Sequence, residues 1–415
     1  MNKTLILFTD YFPYSKTETF LETEILFLSK AFEKVIICPR KHADSIREMP
    51  ENIEVDAVLY QSEQKSKISL YFHGVFFIIK SLFLFIRVGF FRNFTHTGTL
   101  KSIKYTGLIA VRKGNVKRFL HQRRFDLNTT IFYTYWLGYE TLALGLLKNK
   151  TKSMKVVSRA HGYDLYNERG EMALNFIKPL NLQLADKIFC ISKNGLNYLA
   201  ERYPYSKEKL FLSYLGTHAP GFTVQPHQNE SFKIASCSGI REVKRLDKII
   251  DVLYCLTQQE LSISLEWHHL GDGPLRNEME QLAKKKLTGN IKYYFHGNVD
   301  NKKIFQYYQK IQPNLFINLS DSEGLPVSIM ETMSVGIPIL ATDVGGTTEI
   351  VNAENGWLVG KKTEPEQISF LLNKIINQHE YIMKGNKAKA VWKDTFSADN
   401  NYQSFAQILI NFQIA

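Results

Sequence analysis

Two glutamates, Glu323 and Glu331, stand eight positions apart in the run Ser320-Asp321-Ser322-Glu323-Gly324-Leu325-Pro326-Val327-Ser328-Ile329-Met330-Glu331. The first falls on a tight loop and the second inside the helix to which Gly324, Leu325 and Pro326 lead. Proline is pre-shaped for a first helical position, and glycine lets backbone approach a ligand closely. The unpaired N–H groups of a new helix attract an anion, here a diphosphate. Carboxylates cannot bind phosphate, but each accepts O–H donors. Sugar hydroxyls on either side of the diphosphate are therefore the fitting targets of Glu323 and Glu331. A nucleotide sugar has this make-up. A solvated helix face could also carry two such acids, so the surrounding elements must decide.

Those elements repeat a pattern. Leu315-Phe316-Ile317-Asn318-Leu319 is a short apolar run suited to a buried strand. Gly336-Ile337-Pro338-Ile339-Leu340-Ala341-Thr342 reads as the next strand, and Asp343-Val344-Gly345-Gly346-Thr347 turns into a further helix. Strand, glycine turn and helix in succession place ligands at strand ends in a parallel α/β sheet. Further strands are expected at 5–9, 35–39, 131–134, 156–159, 187–191 and 210–213, with helices at 19–32 and 138–148 between them. A second series starts at 232–237 and continues through 264–270, 291–296, 315–319 and 337–342. A chain of 415 residues is too long for one ordinary core. The expected organisation is a domain over 1–216, a polar, proline-containing linker over 217–230, and a domain over 231–395. A terminal helix over 396–415 follows, with a return to the first domain left open.

Other residues of chemical interest sit at the expected strand ends. His161 and Asp164 follow the strand at 156–159, where they could bond a sugar or orient one another; a structural histidine fits there too. Glu18 and Thr19 lie in the turn after the first strand. Arg241, Lys244 and Arg245 follow the strand at 232–237 and could neutralise the charge on a departing diphosphate. Gly271-Asp272-Gly273 is an incomplete dinucleotide fingerprint. There is no Asp-x-Asp pair and no His/Cys cluster, so neither a metal nor a cofactor is expected.

The net charge of +12 is uneven: residues 1–216 hold 32 Lys and Arg against 19 Asp and Glu. Residues 64–125 contain 13 Lys or Arg, no acid, and many phenylalanines. A membrane-spanning helix, a buried helix pair and a basic aromatic surface on anionic lipid headgroups all compete for this stretch. Lys80 and Arg87 oppose the first, and the missing acids favour the third. Nucleic acid could use the same charge, but no nucleic-acid motif accompanies it. The four cysteines show no pairing or ligand pattern, which suits a reducing cytoplasm. The amino terminus reads as a strand rather than a signal peptide. A cytoplasmic protein, peripheral on the inner face of the plasma membrane, is expected.

Taken together, these segments resemble the family 4 retaining glycosyltransferases. The most specific are Glu-x7-Glu from Glu323 to Glu331 and the Gly-Ile-Pro-Ile-Leu-Ala-Thr-Asp-Val-Gly-Gly run, with His161-Gly162-Tyr163-Asp164 and Val243-Lys244-Arg245 in support. The run from Arg159 to Tyr166 looks like members that build colanic acid, capsule or lipopolysaccharide. The resemblance implies an α/β GT-B fold, two facing Rossmann-like domains with an interdomain cleft. It implies donor binding by Lys244, the N–H groups of Gly324 and Leu325, and Glu331 on the ribose. Glu323 would hold donor-sugar hydroxyls, and His161 would contact the transferred sugar; Glu323, His161 and Lys244 are the expected catalytic set. Glu18, Thr19 and Asp164 would shape the acceptor side. The acceptor would be a lipid-linked or soluble saccharide. Where the family usually has an arginine, five residues before the lysine, this chain has Gly239, with Arg241 two residues later. Either Arg241 reaches the phosphate and joins donor binding, or the site works with Lys244 and Arg245. A nucleotide-sugar epimerase, a phosphorylase and a non-catalytic membrane scaffold share the fold. The base, sugar, acceptor, linkage and oligomeric state are not legible.

Overall fold

In the computed structural model, the described residues are 3–14, 18–60, 66–80, 99–149, 151, 153–169, 172–225, 231–261, 263–289 and 291–412. The chain forms two compact units, Met1–Tyr214 with Tyr402–Ala415, and Leu215–Asn401. Of the basic stretch 64–125, residues 64, 65 and 81–98 lie outside the described set.

The first unit is built on β1 (Thr4–Thr9), β2 (Lys34–Pro39), β3 (Ile53–Val55), β4 (Thr130–Thr134), β5 (Lys155–Ala160), β6 (Lys187–Cys190) and β7 (Leu210–Leu212), in the order β3-β2-β1-β4-β5-β6-β7. Every pairing is parallel, beginning with Thr4 against Lys34 and against Thr130. Parallel strands need crossovers, and helices supply them on both faces, so the strands are apolar runs rather than alternating ones. β1 shows this. Leu5 and Leu7 enter a core with Phe405, Leu409 and Phe412, whereas Ile6 and Phe8 enter another with Val116 and Phe119. Successive side chains point to opposite faces, so one six-residue strand anchors two layers. The first of those layers includes the final helix, Ala398–Ile410, from Tyr402 onward.

The second unit contains β8 (Ser231–Cys237), β9 (Ser264–Leu270), β10 (Ile291–Phe295), β11 (Leu315–Asn318), β12 (Ile339–Thr342) and β13 (Gly356–Val359), all parallel, in the order β10-β9-β8-β11-β12-β13. Trp267, Ile234, Ile317 and Leu340 meet in its core with Leu253 of the helix Leu246–Thr257. Residues 217–225 are not a free connector. Val224 N–H donates to Val335 O at 2.8 Å, and Trp392 Nε1–H donates to Thr217 Oγ1 at 2.7 Å, which holds this stretch on the second unit.

Candidate functional site

In the second unit β8 and β11 are neighbours, with β9 and β10 on one side and β12 and β13 on the other. Chain order reverses between them, and the loops after two such strands diverge to leave a crevice at the carboxyl ends. The loop after β8 carries Arg241 and a single turn, Glu242–Lys244. Arg245 then takes a left-handed φ of 51° before the helix Leu246–Thr257. That conformation is costly for a residue with a Cβ. Ion pairs to Asp247 at 2.9 Å and Asp321 at 3.3 Å hold it.

Asp321 N–H donates to Val243 O at 2.8 Å, which stitches the β11 loop to the β8 loop. Beside this tie Lys244 Nζ lies 2.7 Å from Glu323 Oε1. Asn318 Nδ2 adds a 3.3 Å bond to the same oxygen, and Asn318 Oδ1 accepts Ser320 N–H at 3.1 Å. Glu323 is only 6% exposed, so this carboxylate is fixed rather than solvated. Gly346 N–H donates to Gly324 O at 3.0 Å, and a Cβ on Gly346 would overlap that oxygen. Among the described residues no backbone hydrogen bond uses the Gly324 or Leu325 N–H groups. The helix after them is Val327–Ser334, with Pro326 just before it instead of at its first position.

Glu331 follows one turn into that helix. Burial pushes its carboxyl up to about 7. Burial, and then the Glu331 charge, push the Cys237 thiol at the end of β8 up to about 12. Arg241 is exposed, and its Nε lies 3.9 Å from where a Cβ on Gly239 would stand. Among the described residues no three His, Cys, Asp or Glu are grouped to hold a metal ion.

The first unit has its own reversal, between β1 and β4. Near those strand ends Glu18 is buried at a left-handed φ of 53°. Its carboxylate accepts N–H from Asp10 (3.1 Å), Tyr11 (2.7 Å), Phe12 (2.7 Å) and Trp136 Nε1 (2.6 Å). A carboxylate has about four lone-pair sites, so protein donors saturate Glu18. It shapes the turn and fixes Trp136; it is not available to a ligand as first read. Thr19 lies in the same turn, its carbonyl accepting Glu22 N–H at 3.0 Å.

Asp164 is likewise internal. It accepts His161 N–H at 2.7 Å and Leu137 N–H at 2.8 Å. His161 Nδ1 is 3.8 Å from Asp164 Oδ2, beyond hydrogen-bond range, so Asp164 sets the histidine's backbone and leaves its ring unheld. That ring packs against Tyr135 and Trp136, each at 4.5 Å between centroids, and Phe20 at 6.0 Å. Both of its nitrogens are buried without a hydrogen-bond partner. Buried polar atoms are rarely left so, and the ring is therefore free to bond a group from outside the protein.

Sequence reasoning missed the residues that hold these groups. Asn318 is next to last in the strand expected at 315–319 and Tyr135-Trp136 follow the one expected at 131–134, so position near a strand end was the available signal. Asp10 was also passed over. It directly follows β1, pairs with Arg40 at 2.8 Å, and is pushed up to about 6 by burial despite that cation.

Residues 222–390 match the family described as Glycosyl transferases group 1. The O-antigen biosynthesis glycosyltransferase WbnH of Escherichia coli is 28% identical over 229 residues, covering 54% of this chain and 62% of that one. The putative colanic acid biosynthesis glycosyltransferase WcaL of Escherichia coli K12 is 26% identical over 219 residues, covering 49% and 51%. The chain thus spans less than two thirds of either relative. Among solved structures, the apo lipopolysaccharide outer core galactosyltransferase WaaB is similar with a TM-score of 0.68 at 15% identity, covering 98% of this chain and 99% of that one. Anabaena Alr3699/HepE in complex with UDP gives 0.68 at 15% identity, covering 99% and 100%. The fold is that of the GT-B glycosyltransferases. Lys244, Glu323, Gly324 and Glu331 all fall inside the stretch that matches the glycosyl transferases group 1 family.

Proposed function

We propose that this chain moves a sugar from a nucleoside-diphosphate sugar to a saccharide acceptor in bacterial surface polysaccharide synthesis, with the anomeric configuration retained. The contact between Lys244 and Glu323, 2.7 Å long at the β8–β11 reversal, carries the reading. It puts a cation and a fixed carboxylate beside the unengaged Gly324 and Leu325 N–H groups, which suits a diphosphate with a sugar attached. Lys244, with Arg241 beside it, compensates the phosphates, Glu323 accepts sugar hydroxyls, and Glu331 accepts the ribose hydroxyls. Arg241 reaches the space beside Gly239, which supports it as the substitute for the arginine of related enzymes.

In the step itself an acceptor oxygen bonds to the anomeric carbon as the bond from that carbon to the diphosphate breaks. The acceptor's proton passes to the leaving phosphate oxygen on the same face. His161, seated by Asp164 and by Tyr135 and Trp136, contacts the transferred sugar. Glu18 acts on the acceptor side only through Trp136, and Thr19 lines the same turn. No protein nucleophile, metal or cofactor enters this scheme. The reading places the protein on the cytoplasmic face of the membrane, acting on a lipid-linked acceptor.

The test is incubation of the full chain with nucleotide sugars and saccharide acceptors, with and without EDTA. Release of nucleoside diphosphate in step with a retained glycoside supports the proposal. An epimerised nucleotide sugar, phosphorolysis, or no turnover of any nucleotide sugar by folded protein overturns it.

A further inference from the structure

The helix Lys67–Lys80 carries Ile68, Phe72, Val75, Phe76 and Ile79, exposed by 70, 75, 48, 59 and 66%. At 3.6 residues per turn these five fall within about 100° of one another on a single stripe. The opposite face is packed: Leu70 and Phe77 are buried, and Cβ atoms on Gly74 and Gly107 would overlap carbonyl oxygens of the facing helices. The helix is therefore held firmly by one side against Thr99–Arg123 and presents an apolar stripe on the other. Large contiguous exposed apolar surface on a soluble protein marks a binding face.

Charge says what binds there. Lys80 Nζ sits 4.3 Å from the Phe76 ring centre, at the edge of the stripe. The sequence from 64 to 125 holds 13 cations and no acid. A protein partner would need a complementary acidic and apolar groove, whereas an anionic bilayer offers both properties at once to any helix lying in its interface. The helix has 14 residues, about 21 Å at 1.5 Å per residue, against a hydrocarbon core of about 30 Å. Among the described residues no helix is long and apolar enough to cross a membrane. We infer that Ile68, Phe72, Val75, Phe76 and Ile79 insert into the headgroup boundary of an anionic membrane, parallel to its surface, with Lys80 on the lipid phosphates. This deepens the peripheral location in the proposed function by naming the inserting face.

The experiment is cosedimentation of the full chain with vesicles of phosphatidylglycerol and phosphatidylcholine, or of phosphatidylcholine alone, at low and high salt. The inference predicts binding to the anionic vesicles, weakened by salt because screening shortens electrostatic reach. Phe72→Ser with Phe76→Ser should lower vesicle affinity at least tenfold, with circular dichroism and nucleoside-diphosphate binding unchanged. Equal binding by the double variant, indifference to anionic lipid, or no binding by folded wild type overturns it. So does a dimer in sedimentation velocity that the double variant dissolves, because a second copy would then cover the stripe. Transfer to a soluble acceptor is measured in parallel: wild type that transfers sugar but binds no anionic vesicles refutes the face and leaves the enzyme, and wild type that binds vesicles but transfers nothing refutes the enzyme alone.

Discussion

At the residue scale the account turns on a few charged side chains with divided duties. Lys244 is the cation directly paired with Glu323, so Lys244→Ala should lower kcat by roughly 10²–10³, the usual cost of one stabiliser of developing charge. Arg241→Ala should also slow transfer; an unchanged rate in steady-state assays would remove Arg241 from the phosphate site. Glu331 gives a pH signature. Its folded carboxyl lies near 7, raised by burial, whereas in an unfolded chain it would titrate near 4.5. A ribose diol binds the ionised form. Nucleoside-diphosphate affinity should therefore rise from pH 6 to pH 8 with proton release, measurable by calorimetry in buffers of different ionisation enthalpy. In Glu331→Gln the pH dependence should vanish. That Lys244 and Glu323 follow strands of the second sheet was legible from residue type and spacing, though their direct contact was not. The saturation of Glu18 was not, because it depends on a left-handed turn that gathers Asp10, Tyr11, Phe12 and Trp136 around one carboxylate.

Elements position these residues through backbone contacts that only glycine permits. A side chain at position 346 would strike the Gly324 carbonyl and push the β11 loop away from Lys244. Gly346→Ala should keep a near-native fold by circular dichroism yet weaken nucleoside-diphosphate binding about tenfold or more, read by calorimetry. Most strands were visible as apolar runs, since strands covered on both faces need no alternation. The two that escaped, β3 and β13, are sheet edges of three and four residues. Ile53-Glu54-Val55 is broken by an acid, and Gly356-Trp357-Leu358-Val359 opens on a glycine after a polar turn, so neither stands out as an apolar run. They are recognised only by the neighbour each pairs with. The expected linker failed for a related reason: polar composition reports loop, and packing on Val335 and Trp392 is invisible to it.

Across the whole molecule, buried titratable groups pull stability in opposite directions. His268 and His269 on β9 are both lowered to about 4 by burial. Unfolded histidine binds its proton near 6.5, so between about 6.5 and 4 the unfolded chain takes up protons that the folded one refuses. Stability should fall with pH in that window, and urea unfolding of His269→Gln should show a shallower fall. Asp10 and Glu331 are raised instead, to about 6 and about 7. Their stabilising effect is complete at low pH and lost as pH rises through those values. The measurement that bears most directly on the paired-loop site is calorimetric titration of the full chain with UDP, beside Lys244→Ala and Glu331→Ala. The account predicts saturable binding by wild type, lost in the first variant and weakened in the second. Folded wild type that binds no nucleoside diphosphate, or variants that bind as tightly as it does, would contradict it.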